Sequence, residues 1–145
     1  MFQESKADFD NLPIHLVSFS KGCVVLNQLA LQLKSLLVEE DKKCEHLLRN
    51  IQGMCWLDSG VPGNKGAYPT NEDCIQTIAE KIPNVEIHTT PYQMQDPMRV
   101  WICKEKKRFV QLLRKYKAVF KDCSYFEDME ACLKTHFDLL KSFGR

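Results

Sequence analysis

The stretch Ile14-His15-Leu16-Val17-Ser18-Phe19-Ser20-Lys21-Gly22-Cys23-Val24-Val25-Leu26-Asn27-Gln28-Leu29 decides how the rest of the chain is read. Ile14 to Phe19 is a largely apolar, β-prone run, and Ser20-Lys21-Gly22 is a small polar knot. Beyond it Val24, Val25, Leu29, Leu31, Leu33 and Leu36 recur mostly three or four residues apart, the spacing of one helix face. The order is strand, tight turn, helix, with Ser20 at the corner. That is the setting of a nucleophile elbow, G-x-S-x-G, which here reads Ser18-Phe19-Ser20-Lys21-Gly22. A strained turn lifts the serine hydroxyl clear of both elements, and small flanking residues let the helix approach the strand. The helix start offers backbone N–H groups and a partial positive charge to a developing oxyanion. The N–H of Lys21 would be one such donor. Gly22 takes the second glycine position, and Ser18 stands at the first. The competing reading of Ser20 is a plain helix cap.

Working outward, 145 residues suit one domain with a sizeable core. The formal net charge of +1 gives no broad field for nucleic acid or an anionic membrane. No apolar run reaches the roughly 18 residues that span a bilayer. Residues 1–10 are acidic and polar, without the marks of a signal or transit peptide. The seven cysteines are odd in number and form no C-x-x-C, so free thiols in a reducing compartment are expected. Cysteines and histidines show no paired ligand spacing, which argues against zinc. No metal or cofactor is expected.

Residues 1–13 read as an irregular lead-in, and 14–145 as one domain. The strand 14–19 and a helix over about 22–37 lead it. A charged exit follows at 38–43, then a helical turn or two from Cys44 to Asn50. Gly53 to Asp58 is a second buried strand. Thr70 or Asn71 caps a helix that runs to about Lys81. Val85 to Thr90 is a third strand, 91–99 a loop, and 100–117 a helix. Ala118-Val119-Phe120 and Cys123 to Phe126 make a weaker fourth strand region, and 129–140 a closing helix. Four alternations of strand and helix predict an α/β fold with a mainly parallel sheet flanked by helices.

In such a sheet, functional residues lie just beyond the carboxyl ends of the strands. Ser20, Asp58, Asp96 and His136 answer to that position. Ser20, Asp96 and His136 also follow the chain order Ser, acid, His of α/β-hydrolases. His136 would take the proton of Ser20, and Asp96 would orient the imidazole. Asp58 is the rival acid, because it also follows an apolar strand. Asp96 precedes Pro97 and equally fits a turn starter. His88 and His15 lie within strand patterns, and His46 lies in a charged region.

Three motifs carry a family resemblance: Ser18-Phe19-Ser20-Lys21-Gly22-Cys23-Val24-Val25-Leu26-Asn27-Gln28-Leu29, Trp56-Leu57-Asp58-Ser59-Gly60, and Thr89-Thr90-Pro91-Tyr92-Gln93 with Asp96-Pro97-Met98-Arg99. They resemble the family of mitochondrial, serine-hydrolase-like proteins named in human after an open reading frame on chromosome 2. Lys104 to Val110 and Thr135-His136-Phe137 continue the likeness. The resemblance implies an α/β-hydrolase-like fold, a Ser-Asp-His triad and a mitochondrial location; without it the location would read as cytoplasmic. Ser18 departs from the family's glycine. The nucleophile strand is about the fifth of a hydrolase sheet, yet here it starts at residue 14. The chain is therefore expected to be the C-terminal part of that fold, with its N-terminal strands missing. One lost oxyanion donor costs roughly 10²–10³ in rate, and lost strands leave a sheet edge open to self-association or a partner.

Two functions compete. One is a serine hydrolase acting on a small or lipid-like acyl ester or thioester. The other is a non-catalytic fragment or pseudoenzyme that acts through a partner.

Overall fold

The structure, a computed structural model, describes residues 11–38 and 42–144. Residues 1–10 of the lead-in and 39–41 of the charged exit lie outside the described residues.

Four strands, β1 (Ile14–Phe19), β2 (Ile51–Leu57), β3 (Asn84–Thr89) and β4 (Phe120–Ser124), form one parallel sheet in the order 1-2-3-4. The helices α1 (Cys23–Val38) and α2 (Lys42–Arg49) link β1 to β2, and α3 (Glu72–Lys81) links β2 to β3. The short α4 (Pro91–Met94) and α5 (Val100–Lys115) link β3 to β4, and α6 (Leu133–Ser142) closes the chain. The fold is α/β, a parallel sheet flanked by helices.

The elements form where local chemistry favours them. Asn71 caps α3 by accepting from the Cys74 N–H at 3.0 Å, and Glu72 and Asp73 occupy its first turn. Segment 91–99, expected as a loop, opens with the one-turn α4, because Pro91 fills the first helical position without needing an N–H. β2 is buried along nearly its whole length, as a central parallel strand should be.

The strand order has a consequence for the two faces. A sheet that adds strands in sequence through crossovers of one hand puts every crossover helix on the same side. α1, α3 and α5 pack there on Met54, Trp56, Val85 and Ile87, with Leu33, Ile75, Ile78, Phe109 and Leu113 fully buried. Among the described residues the opposite face is left to α6. Its core is small: Cys55, Leu57 and Leu139, with Phe19, Tyr125 and Phe143 against it.

Candidate active site

Adjacent strands end level and hand the chain to the site. Phe19 is paired with Leu57, and Leu57 with His88, so Ser20, Asp58 and Thr90 leave the sheet close together. Ser20 has φ +53° and Asp58 φ +43°. The left-handed region costs an ordinary residue about 1–2 kcal/mol and is easier for aspartate. Ser20 opens a 3-10 turn, Ser20–Gly22, that runs directly into α1. The Lys21 N–H stands in that first turn, where donors lack an intrahelical acceptor. The Ser20 carbonyl accepts from the Gly60 N–H at 3.4 Å, which ties the turn to the loop after β2.

The two residues flanking Ser20 in the motif behave differently. Ser18 Oγ donates to the Cys55 carbonyl at 3.0 Å and lies 3.2 Å from Cys23 Sγ, so a polar side chain is accommodated beneath the turn. Burial pushes the Cys23 thiol up, keeping it protonated. Gly22 is not needed for close approach, because a Cβ there would meet nothing within 4 Å.

Asp58 is fully buried and three donors meet its carboxylate. The Thr90 N–H donates to Oδ1 at 2.8 Å, the Thr90 hydroxyl donates to Oδ2, and His136 Nδ1 lies 2.7 Å from Oδ2. His136 itself is 3 % exposed. Its ring stacks on Phe19 with centroids 4.5 Å apart, and Tyr92 lies 4.6 Å away. With Nδ1 held by the carboxylate, Nε2 is the ring nitrogen left for proton transfer. Phe19, the floor of this stack, is the residue immediately before Ser20. Among the described residues no hydrogen bond joins Ser20 Oγ to His136; bonds of this kind often close only with substrate bound.

Asp96 is engaged elsewhere. Its Oδ1 accepts from the Met98 N–H at 2.9 Å and its Oδ2 from Arg99 Nε at 2.7 Å. The Arg99 guanidinium, helped by the Met98 N–H, holds this carboxyl below its ordinary range. The pairing expected between Asp96 and His136 is therefore made by Asp58, and Asp96 starts the turn into α5. The chain order Ser, acid, His is kept by Ser20, Asp58 and His136 as well. His88 is buried within the sheet, while His15 and His46 are exposed.

The loop after β2 is pinned over this end of the sheet. Glu105 accepts from the N–H groups of Gly66, Ala67 and Tyr68, and Asn27 Nδ2 donates to the carbonyls of Gly66 and Ala67. Asn27 Oδ1 also accepts from Trp56 Nε1 at 2.7 Å. Sequence reasoning passed over Thr90, Phe19 and Tyr92. The strand pattern runs through Thr90 whereas β3 ends at Thr89, so the strand-end rule passes over it; Phe19 and Tyr92 stand in the sequence only within the family motifs.

Residues 2–119 match the sequence profile of the family described as C2orf69. The chain belongs to the C2orf69 family. Against the mouse mitochondrial protein C2orf69 homolog it is 37% identical over 134 residues, covering 92% of this chain and 36% of that protein. The human mitochondrial protein C2orf69 is 45% identical over 98 residues, 68% of this chain and 25% of that protein. The zebrafish homolog is 34% identical over 128 residues, 88% of this chain and 37% of that protein. The chain thus spans a quarter to just over a third of the length of these C2orf69 relatives. No solved structure matches it. The C2orf69 profile includes Ser20 and Asp58 but stops short of His136, whose position is known from geometry.

Proposed function

We propose that this chain carries the nucleophile, base and acid of a serine hydrolase of the α/β-hydrolase type, acting on a carboxylic ester or thioester. The supporting observation is the buried 2.7 Å pair of His136 and Asp58 beside a serine held at positive φ. Ser20 attacks the acyl carbon while His136 Nε2 takes its proton. Asp58 holds the Nδ1–H tautomer and stabilises the imidazolium that forms. The Lys21 N–H donates to the tetrahedral oxyanion. His136 then returns the proton to the leaving alcohol or thiol, and water releases the acyl group by the same steps in reverse. Asp58 takes the acid role in place of Asp96. A mitochondrial location is carried over from the names of the relatives. No helix among the described residues is long and apolar enough to cross a membrane.

A second reading, a non-catalytic chain that works through a partner, draws on the edge strand β1. There Val17 is 52% exposed, and Val25 of the adjoining α1 is 74% exposed. Labelling with a fluorophosphonate serine-hydrolase probe separates the two. Labelling of the chain that disappears in Ser20→Ala supports the hydrolase. Absence of labelling in a chain that circular dichroism shows to be folded overturns it for this chain and favours the partner-dependent reading.

A further inference from the structure

The sheet face beneath α6 carries a second cluster of chemical groups. Cys55 Sγ, a carboxylate oxygen of Glu86 and a ring nitrogen of His88 lie within 4.8 Å of one another. Strand register brings them together. Cys55 is paired with Glu86 across β2 and β3, and His88 lies two residues further along the same face of β3. Cys55 and His88 are 6% and 4% exposed. Cys55 and Glu86 border a groove of about 220 Å³ that His15, Gly53 and Phe143 also line. The groove exists because the crossover helices all lie on the other face and α6 covers only part of this one.

We propose that Cys55, Glu86 and His88 form a binding site for a divalent ion of the zinc class. Cys55 Sγ, one Glu86 oxygen and His88 Nε2 would be the ligands, and the remaining position would face the groove. Thiolate, imidazole and carboxylate together match zinc, whereas calcium and magnesium take oxygen alone. The imidazole ring already lies within reach and only its tautomer changes: a carboxylate only accepts, so without an ion Nε2–H donates to Glu86. His88 Nδ1 lies 2.9 Å from the Tyr125 hydroxyl, and Nε2 lies 2.9 Å from Glu86 Oε2. A hydroxyl accepts as well as donates, so Nδ1–H can donate to Tyr125 and free the Nε2 lone pair. Metal-bound histidines are held in this way by their other nitrogen.

The charges balance. On binding, the Cys55 thiol loses its proton to solvent through the groove, and thiolate plus carboxylate neutralise the dication. Without a cation, burial and the Glu86 charge push the Cys55 thiol up to about 12; a divalent ion reverses that bias. The existing competitor for Glu86 is Lys121, whose Nζ is 3.9 Å from Oε1 and whose side chain is 72% exposed, so it is easily displaced. Cysteines and histidines lack paired ligand spacing along the chain. These ligands are paired across strands instead.

The test is titration of the purified full chain with Co²⁺ as an optical stand-in for Zn²⁺. The expected result is saturation at one cobalt per chain, with a thiolate-to-cobalt charge-transfer band that Zn²⁺ abolishes. Cys55→Ser removes that band. Glu86→Gln, at a half-buried position whose effect on folding is checked by circular dichroism, weakens Zn²⁺ binding by roughly tenfold or more. Cys132→Ser, at an exposed thiol, leaves binding unchanged. A chain that gives no charge-transfer band, or a band that survives Cys55→Ser, overturns the proposal.

Discussion

His136 Nδ1 and Asp58 Oδ2 are 2.7 Å apart although 78 residues separate them in the chain. The contact joins the end of β2 to α6, and both groups are nearly or fully removed from water. A carboxylate buried this deeply is costly unless donors surround it. Thr90 supplies two of them and His136 the third. The arrangement both stabilises the buried charge and selects one tautomer of the histidine.

That selection gives the first prediction. Asp58→Asn leaves the histidine without its anionic partner and slows fluorophosphonate labelling of Ser20 by about 10⁴-fold, the loss seen when a triad acid becomes an amide. Asp96→Asn changes the labelling rate by no more than about threefold, because that carboxylate serves Met98 and Arg99. Labelling kinetics of the two variants side by side decide the matter; a larger loss in Asp96→Asn would remove Asp58 from the acid role.

Backbone strain at Ser20 is separable from its hydroxyl. Ser20→Ala and Ser20→Gly both lose the nucleophile, but only glycine adopts φ +53° freely. Ser20→Gly should be the more stable of the two by about 1 kcal/mol in urea unfolding. A Ser20→Gly variant less stable than Ser20→Ala would mean that glycine's larger unfolded-state entropy outweighs any strain relieved at this residue.

Asn27 joins α1 to β2 and to the loop after it. Removing its amide in Asn27→Ala leaves the buried Trp56 Nε1–H and the Ala67 carbonyl without this partner. The cost should be about 1–3 kcal/mol, read as a lower urea midpoint at unchanged slope. An unchanged midpoint would show that water replaces the amide without penalty.

Glu72, which makes no contact with the candidate site among the described residues, provides a pH test. Hydrogen bonds from Lys115 and Tyr116, with Arg108 nearby, hold its carboxyl down to about 2 from an ordinary 4.5. A carboxyl depressed on folding stabilises the folded state above its unfolded pKa and loses that effect as pH falls through the folded one. The gap in Tm between the parent chain and Glu72→Gln should therefore be full above pH 4.5 and close as pH approaches 2. The group is exposed, so the gap should also shrink with added salt. A gap independent of pH would show that the carboxylate charge plays no part.

The sequence by itself determined most of the elements and their type, but not the one-turn α4 or the bounds of β4. The run from Ile14 to Phe19 is β1 at the expected bounds, and the helix expected over 22–37 is α1 at Cys23–Val38. Both follow from periodicity and turn chemistry, which act over a few residues and are written locally. Ser20 and Asp58 were accessible to the rule that loops at strand carboxyl ends carry the chemistry, whereas Thr90 stands inside the strand pattern Val85 to Thr90 and just beyond β3. Only the tertiary structure shows that Asp58, and not Asp96, pairs with His136, because that contact depends on where α6 sets the histidine. Only strand register brought Cys55, Glu86 and His88 onto one patch. Distances between side chains far apart in the chain are set by register and by helix packing, and no local pattern encodes them.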